Sequence, residues 1–346
     1  MQASSAGVAR SSVDWIAALR TGSVFAVIGI VWLIFWRLTP YFLTKDNLYN
    51  VGIQASSVAI IAAGLTVVLI AAEIDLSIGA IQALGGSIAA VLIIKHGAPV
   101  WIGITVALVI GPLLGFANGI VTWKLRIPSF IATLAMLGIA QGAAFLVTNN
   151  APINGFPPSY LKIGTGRTIA AFPVVVLIAI GVLFAVHLIL NKTRLGRHVY
   201  AVGGDAVAAS LSGISIGRVK LIALTLSGFT AAIGGLILSS RLNAGSGDFG
   251  TEDLLPAVAA VVIGGTSLFG GTGSVWGTAA GALLLSTITN GLILVNVQSA
   301  WQQIAVGLII VGAMLLDQLL KTDRGMRLER IRVLRWLVAA ARQQSP

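Results

Sequence analysis

Apolar residues run through most of this chain in long blocks, and short polar stretches separate the blocks. A helix needs about 20 apolar residues to cross the hydrocarbon core of a bilayer, and the blocks are near this length. They lack the alternation of apolar and polar residues that is typical of membrane β-strands. The pattern therefore predicts an all-α, polytopic membrane protein with about ten transmembrane helices. The predicted spans lie at about 22–39, 51–72, 76–94, 100–122, 128–147, 170–190, 219–240, 254–270, 275–295 and 302–320.

The polar stretches divide the chain into three parts. Residues 1–21 are mixed in character and form a predicted cytoplasmic segment. Residues 22–320 form the predicted transmembrane domain, which includes one long inside loop at about 191–218. Residues 321–346 form a basic tail in which arginines alternate with apolar residues. This alternation favours an amphipathic helix on the inner leaflet.

Composition and charge agree with a membrane protein of defined orientation. Hydrophobic residues make up 57% of the chain, charged residues 10%, and the formal net charge is +11. With the N-terminus inside, the inside segments hold 16 of the 22 Lys and Arg residues, as the positive-inside rule requires. An even number of spans then places both termini in the cytoplasm. The basic charge is explained by topology, so no nucleic acid partner is expected.

Several kinds of chemistry are excluded by the residues that the chain lacks. It contains no Cys, and His96, His187 and His198 lie too far apart in sequence to suggest a metal site. No Gly-x-x-x-x-Gly-Lys-Ser/Thr phosphate loop occurs, so the chain is not expected to hold ATP itself. No nucleophile, base and orienting acid are grouped in one segment. We therefore expect neither an enzyme nor a bound cofactor.

Two polar interruptions, at 72–79 and 264–274, separate neighbouring apolar blocks. Transporters tend to break their helices near the substrate path, which gives these interruptions a predicted role in transport. An ionised carboxylate is costly in hydrocarbon, so the acids at 73 and 75 require a wet or paired setting. The alternative is a pair of cytoplasmic turns in which Asp75 caps the next helix; the pattern leaves open whether the turns are cytoplasmic or re-entrant. The candidate substrate-path residues are Glu73, Asp75, Ser77, Thr266 and Ser267.

Small residues recur four positions apart in three of the predicted spans. This spacing lines one face of a helix with glycine and predicts close approach of a neighbouring helix. The series are Gly111, Gly115 and Gly119, then Gly138 and Gly142, and finally Gly277 and Gly281.

The inside loop at 191–218 is polar and basic, with a short segment of helix-forming residues. Ala206 to Leu211 favour a helix, and Gly213 is placed to end it. Such a surface helix fits a groove on a soluble partner. The alternative is a plain connecting loop whose cations set the topology.

Four stretches of this chain, spread over roughly 40–320, resemble the ribose-type permeases of bacterial ABC importers. That family includes ribose, xylose, arabinose and galactoside permeases. The stretches are Glu73-Ile74-Asp75-Leu76-Ser77-Ile78-Gly79; Ile127-Pro128-Ser129-Phe130-Ile131-Ala132-Thr133-Leu134; Gly196-Arg197-His198-Val199-Tyr200-Ala201-Val202-Gly203-Gly204 with Leu211-Ser212-Gly213-Ile214; and Ala259-Ala260-Val261-Val262-Ile263-Gly264-Gly265-Thr266-Ser267-Leu268 with Gly271, Gly273-Ser274-Val275 and Gly277.

The resemblance implies an ABC importer permease fold in the bacterial inner membrane. It implies a pore of two permease subunits, identical or different, an ATPase subunit that binds ATP, and an external sugar-binding protein. The expected substrate is a sugar such as a pentose. The family commonly reads Asn-Glu-Glu-Ala-Ala-Arg-Leu-Ser-Gly over 205–213, and this chain lacks both glutamates and the arginine. The implied ATPase-coupling residues are Gly203, Gly204, Asp205, Ala208, Ala209, Leu211 and Gly213.

Two other hypotheses for the function of this chain remain open at this point. One is a secondary transporter driven by an ion gradient, whose acids would be Glu73, Asp75 or Asp317; the other is a structural membrane scaffold. An acidic outer stretch, Asp248 with Glu252 and Asp253, is expected to be a solvated loop, with docking of a binding protein as the alternative.

Overall fold

The computed structural model describes residues 24–168, 172–312 and 314–315, and most of them are helical. The predicted N-terminal segment, the basic tail and Asp317 lie outside these residues. The helices are α1 (Val24–Leu38), α2 (Lys45–Ile70), α3 (Ile78–Ala90), α4 (Val100–Lys124), α5 (Ser129–Thr148), α6 (Pro158–Thr165), α7 (Val174–Lys192), α8 (Arg194–Gly204), α9 (Ala206–Leu211), α10 (Ile216–Leu242), α11 (Leu254–Ile263), α12 (Val275–Leu294) and α13 (Ser299–Gly312). A π-helical turn, Val91–Lys95, continues α3, and strands β1 (Ile153–Asn154) and β2 (Ala244–Gly245) pair antiparallel.

Seven helices of the described ranges are long and apolar enough to cross a bilayer. They are α2, α3 with its π-helical continuation, α4, α5, α7, α10 and α12, and each coincides with a predicted span. Helices α1 and α13 are apolar but shorter. The prediction of an all-α, multi-pass membrane protein is therefore confirmed.

The predicted span at 254–270 is wrong as a continuous helix. Helix α11 contains 10 residues and ends at Ile263, so it is about 15 Å long at 1.5 Å per residue, half the hydrocarbon thickness. Gly264 and Gly265 follow, and Gly265 takes a positive φ of 85° that ends the helix.

An extended segment completes the crossing that α11 only half makes. The backbone at Gly245 lies against Gly86 and Ala90 near the end of α3, whereas that at Gly250 lies against Gly79 in its first turn. The segment from 245 to 250 therefore runs back along α3 into the bundle, and α11 continues in the same direction. Spans made of an extended half and a helical half are typical of transporters.

The centre of the bundle is formed by α2, α3, α10 and α12. Their apolar windows are 61–72% buried within the chain, whereas those of α4, α5 and α7 are only 22–28% buried. Helix α10 packs against α2, α3, α4 and α6, and α12 packs against α2 and α11. The exposed apolar faces of the outer helices are those that a bilayer or a second subunit would cover.

Glycines allow close contact between α4 and α10, as their spacing predicts. A methyl group added at Gly111 or Gly115 would collide with backbone atoms of Gly228 or Leu224. Gly119 lies against Leu221 in the same way. The glycines at 277 and 281 of α12 pack against α11, which confirms that prediction as well. Gly138 and Gly142 contact no other helix within the described residues, because a side chain at either position would meet no atom of these residues within 4 Å.

Replacement of Gly115 by leucine tests this packing. We expect Gly115→Leu to lower the free energy of unfolding by about 1–3 kcal/mol, because the side chain would force α4 away from α10. The measurement is the thermal unfolding midpoint of the purified protein in detergent. Gly142→Leu is the matched control and should leave the midpoint unchanged; equal effects of the two variants would contradict the packing argument.

Candidate functional site

Both polar interruptions meet the end of α8 at one end of the bundle. The backbone N–H of Gly271 donates to the carbonyl of Ile70 at 2.9 Å, which joins the second interruption to the end of α2. The hydroxyl of Tyr200 in α8 donates to the carbonyl of Gly273 at 2.9 Å. We call this contact region, formed by residues 70–77, 200–204 and 264–274, the junction.

Gly203 lies where the three segments of the junction are closest. A side chain at this position would overlap the carbonyl of Ile70 and the amide of Gly271. A side chain at Gly204, the next residue, would meet no atom of the described residues within 4 Å. Burial raises the pKa of the Tyr200 phenol above its usual value, so this side chain remains a hydrogen-bond donor. The loop at 191–218 is therefore packed onto the helix interruptions rather than being a plain connection.

Helix α9 has the boundaries that the sequence predicts, and both ends have an identifiable cause. The Asp205 carboxylate accepts hydrogen bonds from the N–H groups of Val207 at 2.9 Å and Ala208 at 3.0 Å, an N-cap of the usual kind. At the other end Gly213 takes a φ of 81°, a conformation that glycine adopts at little cost. The predicted helix over Ala206–Leu211 and its ending at Gly213 are confirmed.

The two faces of α9 differ in burial. Ala209 is 4% exposed and belongs to the main apolar core, whereas Val207 is 70% and Leu211 86% exposed. Positions 207 and 211 are four residues apart and share a face, and that face points away from the bundle. Ala208 and Ser210 are exposed on its flanks. Val207 and Leu211 thus form a small exposed apolar patch beside the junction, and such a patch is suited to contact with a protein partner.

The backbone of the first interruption is hydrogen-bonded by hydroxyls of α5. The N–H of Ile74 donates to the Ser129 hydroxyl and that of Leu76 to the Thr133 hydroxyl, both at 3.1 Å. Extended backbone within a membrane bundle needs such partners, because no lipid group supplies them. Residues 73–77 are accordingly held in place rather than free to form a solvated turn.

Asp75 and Ser77 are fully buried at the start of α3. The Asp75 carboxylate accepts from the Ser77 N–H at 2.9 Å and from the Ser77 hydroxyl at 2.6 Å. The side-chain amide of Asn118 donates to the same hydroxyl at 3.0 Å. The second carboxylate oxygen of Asp75 has no hydrogen-bond partner among the described residues. Asp75 therefore fixes Ser77 at the entry to α3 while keeping one acceptor unused. The predicted capping of α3 by Asp75 is wrong, because in the described residues no side chain caps the first turn of this helix.

Glu73 is paired, as its position in the bundle requires. Its carboxylate forms an ion pair with Lys220 of α10. Both residues line a cavity of about 480 Å³, together with Thr122, Arg126 and Ser129. The sequence offered no signal for Lys220 as the partner, because the two positions are far apart in the chain.

Thr266 and Ser267 are packed inside the second interruption. They are 3% and 8% exposed, and the N–H of Ser267 donates to the carbonyl of Thr272 at 2.9 Å. The Thr266 hydroxyl finds no hydrogen-bond partner in the described part of the chain. All five candidate path residues thus belong to the junction or its edge, and Glu73 is the one that lines the cavity beside it. No group of three or more His, Cys, Asp or Glu residues able to hold a metal ion occurs in the described ranges.

Comparisons with known proteins agree over nearly the whole chain. Residues 47–314 match the family described as the permease component of the branched-chain amino acid transport system. The ribose import permease protein of Haemophilus influenzae is 40% identical over 292 residues, covering 83% of this chain and 90% of the relative. The xylose transport system permease protein of Escherichia coli is 34% identical, with 86% and 91% covered. The ribose import permease protein of Bacillus subtilis is 38% identical, with 81% and 87% covered. No solved structure matches significantly.

Substitution of Gly203 tests the packing of the junction. We expect Gly203→Ala to weaken the hydrogen bond from the Gly271 N–H to Ile70, because the added methyl group overlaps both partners. The measurement is amide hydrogen exchange in the purified protein, where residues 268–273 should lose protection. Gly204→Ala is the matched control and should exchange as the unmodified protein does; unchanged exchange in both variants would show that Gly203 does not hold the junction together.

Proposed function

We propose the function of this chain from the premise that it belongs to the ribose-type permease family of ABC importers, as its match over residues 47–314 and its relatives at 34–40% identity show. The chain is a multi-pass, membrane-spanning permease subunit of an ATP-driven sugar importer. It is not itself an enzyme, and ATP hydrolysis and substrate capture are the tasks of partner subunits.

The proposed substrate is a pentose or a related monosaccharide. Relatives named for ribose and for xylose support this class, since both are pentoses and the chain covers most of the length of each. A sugar-binding protein outside the membrane delivers the substrate, and the permease passes it to the cytoplasm of the bacterial cell. Two permease subunits, identical or different, form the pore.

The proposed orientation puts α8, α9 and both termini in the cytoplasm. Lys192, Arg194 and Arg197 lie at the end of α7 and in α8, and cations accumulate in the cytoplasmic loops of membrane proteins. The junction then lies toward the cytoplasmic face. The opposite end, which includes α6 and the pairing of β1 with β2, faces the binding protein.

The packing of Gly203 against both helix interruptions is the observation that carries the proposed coupling. We infer that the ATPase holds α9 by its exposed face and moves α8 with it when ATP binding closes the ATPase dimer. Because α8 contacts the end of α2 and the turn at 264–274, its movement reaches two spans at once. Such a shift of packed elements between two arrangements is the usual structural basis of alternating access.

The contact with the ATPase is proposed to be apolar in this chain. Val207 stands where the family pattern has a glutamate, and Ser210 where it has an arginine. Val207 and Leu211 are the large apolar side chains exposed on α9, so desolvation of apolar surface replaces the ion pairs that those charges would make. Gly203, Gly204, Asp205, Ala208, Ala209 and Gly213 shape and position this face.

The five candidate residues remain our proposal for the inner part of the substrate path. In the conformation described here Asp75, Ser77, Thr266 and Ser267 are buried in the junction. The unused acceptor of Asp75 and the unpartnered Thr266 hydroxyl are groups that a sugar hydroxyl could satisfy once the junction opens. Glu73 would meet the sugar in the cavity that it lines with Lys220.

Leu211→Asp tests the coupling surface. In proteoliposomes that hold the permease and its ATPase, we expect this change to reduce stimulation of ATP hydrolysis by the loaded binding protein at least tenfold, because a carboxylate would have to be desolvated at the contact. Leu211→Met keeps the volume and the apolar character and should retain most of the stimulation. Full stimulation with Leu211→Asp would refute the proposed role of α9.

Transport without the ATPase tests the importer against the ion-driven alternative. We expect the purified permease alone to accumulate no ribose or xylose in vesicles under a proton or sodium gradient. Addition of the ATPase, internal ATP and loaded binding protein should establish uptake. Accumulation by the chain alone would favour the secondary transporter.

A further inference from the structure

A second polar cavity lies at the end of the bundle opposite α9. It has a volume of about 180 Å³, and its polar lining comes from α2, α10, the start of α11 and α12. A neighbouring cavity of about 390 Å³ shares Asp253, Pro256, Thr289 and Val306 with it, so the two form one groove. We call this the outer groove. Its polar side chains include Gln54, Ser57, Arg241, Asp253, Ser286 and Thr289.

The prediction from the sequence that Asp253 belongs to a solvated loop is wrong. Asp248 and Glu252 are exposed, but the Asp253 carboxylate accepts a hydrogen bond from the Gln82 side chain of α3 at 2.7 Å. Asp253 reaches α3 because the segment at 245–250 runs into the bundle rather than over its surface. Its carboxylate is thereby brought to the inner wall of the outer groove.

Two opposite charges face the outer groove without meeting. Arg241 donates to the Ser57 hydroxyl at 3.1 Å and Asp253 is held by Gln82, and no ion pair within 4.0 Å joins Arg241 to Asp253 in the described residues. Charges that are partly removed from water and left apart are costly unless polar groups bridge them. The lining therefore offers a donor and an acceptor, with no net charge from this pair, to something that lies between them.

The outer groove also holds unpartnered hydroxyls. Ser286 is 4% exposed, lines the cavity and makes no hydrogen bond within the described residues. Thr289, one turn further along α12, lines both parts of the groove and has no partner in the same residues. Thr289 is only half-buried, and both residues line the cavity, so their hydroxyls can bond there to a polar molecule or to water.

We propose that the smaller cavity of the outer groove is the first place where the permease binds a neutral monosaccharide after the binding protein releases it. Each sugar hydroxyl donates and accepts, which suits the lining of the smaller cavity, with one guanidinium, one carboxylate, an amide and hydroxyls. Within this smaller cavity the opposite charges of Arg241 and Asp253 balance, which favours an uncharged ligand there, whereas Glu252 adds a carboxylate to the larger cavity. Apolar side chains of Val58, Leu238 and Leu285 supply a wall for the C–H face of the ring. This inference rests on the proposed function and adds a location to it.

Conservative variants of the unpartnered hydroxyls test the proposal. Ser286→Ala and Thr289→Val are each to be placed in proteoliposomes with the ATPase, and ribose-loaded binding protein supplied at saturation. We expect the number of ribose molecules imported per ATP hydrolysed to fall at least threefold, while stimulation of hydrolysis by the binding protein persists. Thr225→Val is the control, because the Thr225 hydroxyl bonds the Leu221 carbonyl within its own helix. An unchanged ratio in both variants would overturn the proposal.

The balance of charge in the outer groove allows an independent measurement. Asp253→Asn preserves an acceptor for Gln82 but leaves Arg241 as the only charged side chain that lines the smaller cavity. We expect the thermal midpoint of the purified permease to rise with millimolar ribose, and the variant to respond more to the anion ribonate than to ribose. The proposal would be overturned if ribose left the thermal midpoint of the unmodified protein unchanged, or if the unmodified protein and the variant showed the same preference between ribose and ribonate.

The two proposals fail in different ways. If the unmodified complex imports ribose and the groove variants match it in both measurements, only the outer groove is refuted. If the unmodified complex neither imports a sugar nor hydrolyses ATP in response to a binding protein, the proposed function fails and the inference fails with it.

Discussion

Irregular backbone within this bundle is held by groups of the protein itself, and this requirement shapes both of its functional regions. Lipid offers no hydrogen-bonding groups, so the N–H groups of the extended residues before α3 donate to the hydroxyls of Ser129 and Thr133 in α5. In the turn at 264–274, the Gly271 N–H donates to the Ile70 carbonyl at the end of α2, and the Gly273 carbonyl accepts from the Tyr200 hydroxyl. Breaks in the helices therefore occur where several elements converge, and α8 contacts two such places, the end of α2 and the turn at 264–274.

Much of the fold follows from the sequence because lipid and glycine impose simple rules. Long apolar blocks must be helices in a bilayer, which fixes the seven long spans, and Asp205 and Gly213 mark the ends of α9 by local backbone chemistry. The broken span escaped prediction because an apolar run can continue past Ile263 while its backbone turns at Gly264 and Gly265. Gly138 and Gly142 show that spacing alone does not reveal which face of a helix has a neighbour.

The candidate site was predictable in its parts and not in its assembly. The carboxylate at 73 demanded a partner, but only the fold identifies Lys220, since pairing across distant helices leaves no local pattern. Asp253 was expected in a solvated loop, and no local pattern relates it to Arg241. The extended segment at 245–250 brings Asp253 to the cavity that Arg241 of α10 also lines. Tyr200 belongs to a stretch with family resemblance, yet its contact with Gly273 follows from packing alone.

The short length of α11 has a mechanical meaning. It begins immediately after Asp253 and ends at the turn that touches Gly203, so a single stiff rod of ten residues spans the distance between the two regions. A rod that is pushed at one tip must tilt or slide at the other. Close backbone contacts of Gly264 with Gly277 and of Ala260 with Gly281 join this rod to α12, and the extended segment at 245–250 connects its other end to α10. Sugar binding on one side of the membrane and the nucleotide state of the ATPase on the other would then both act on α11. No chain of side-chain contacts would be needed between the two regions.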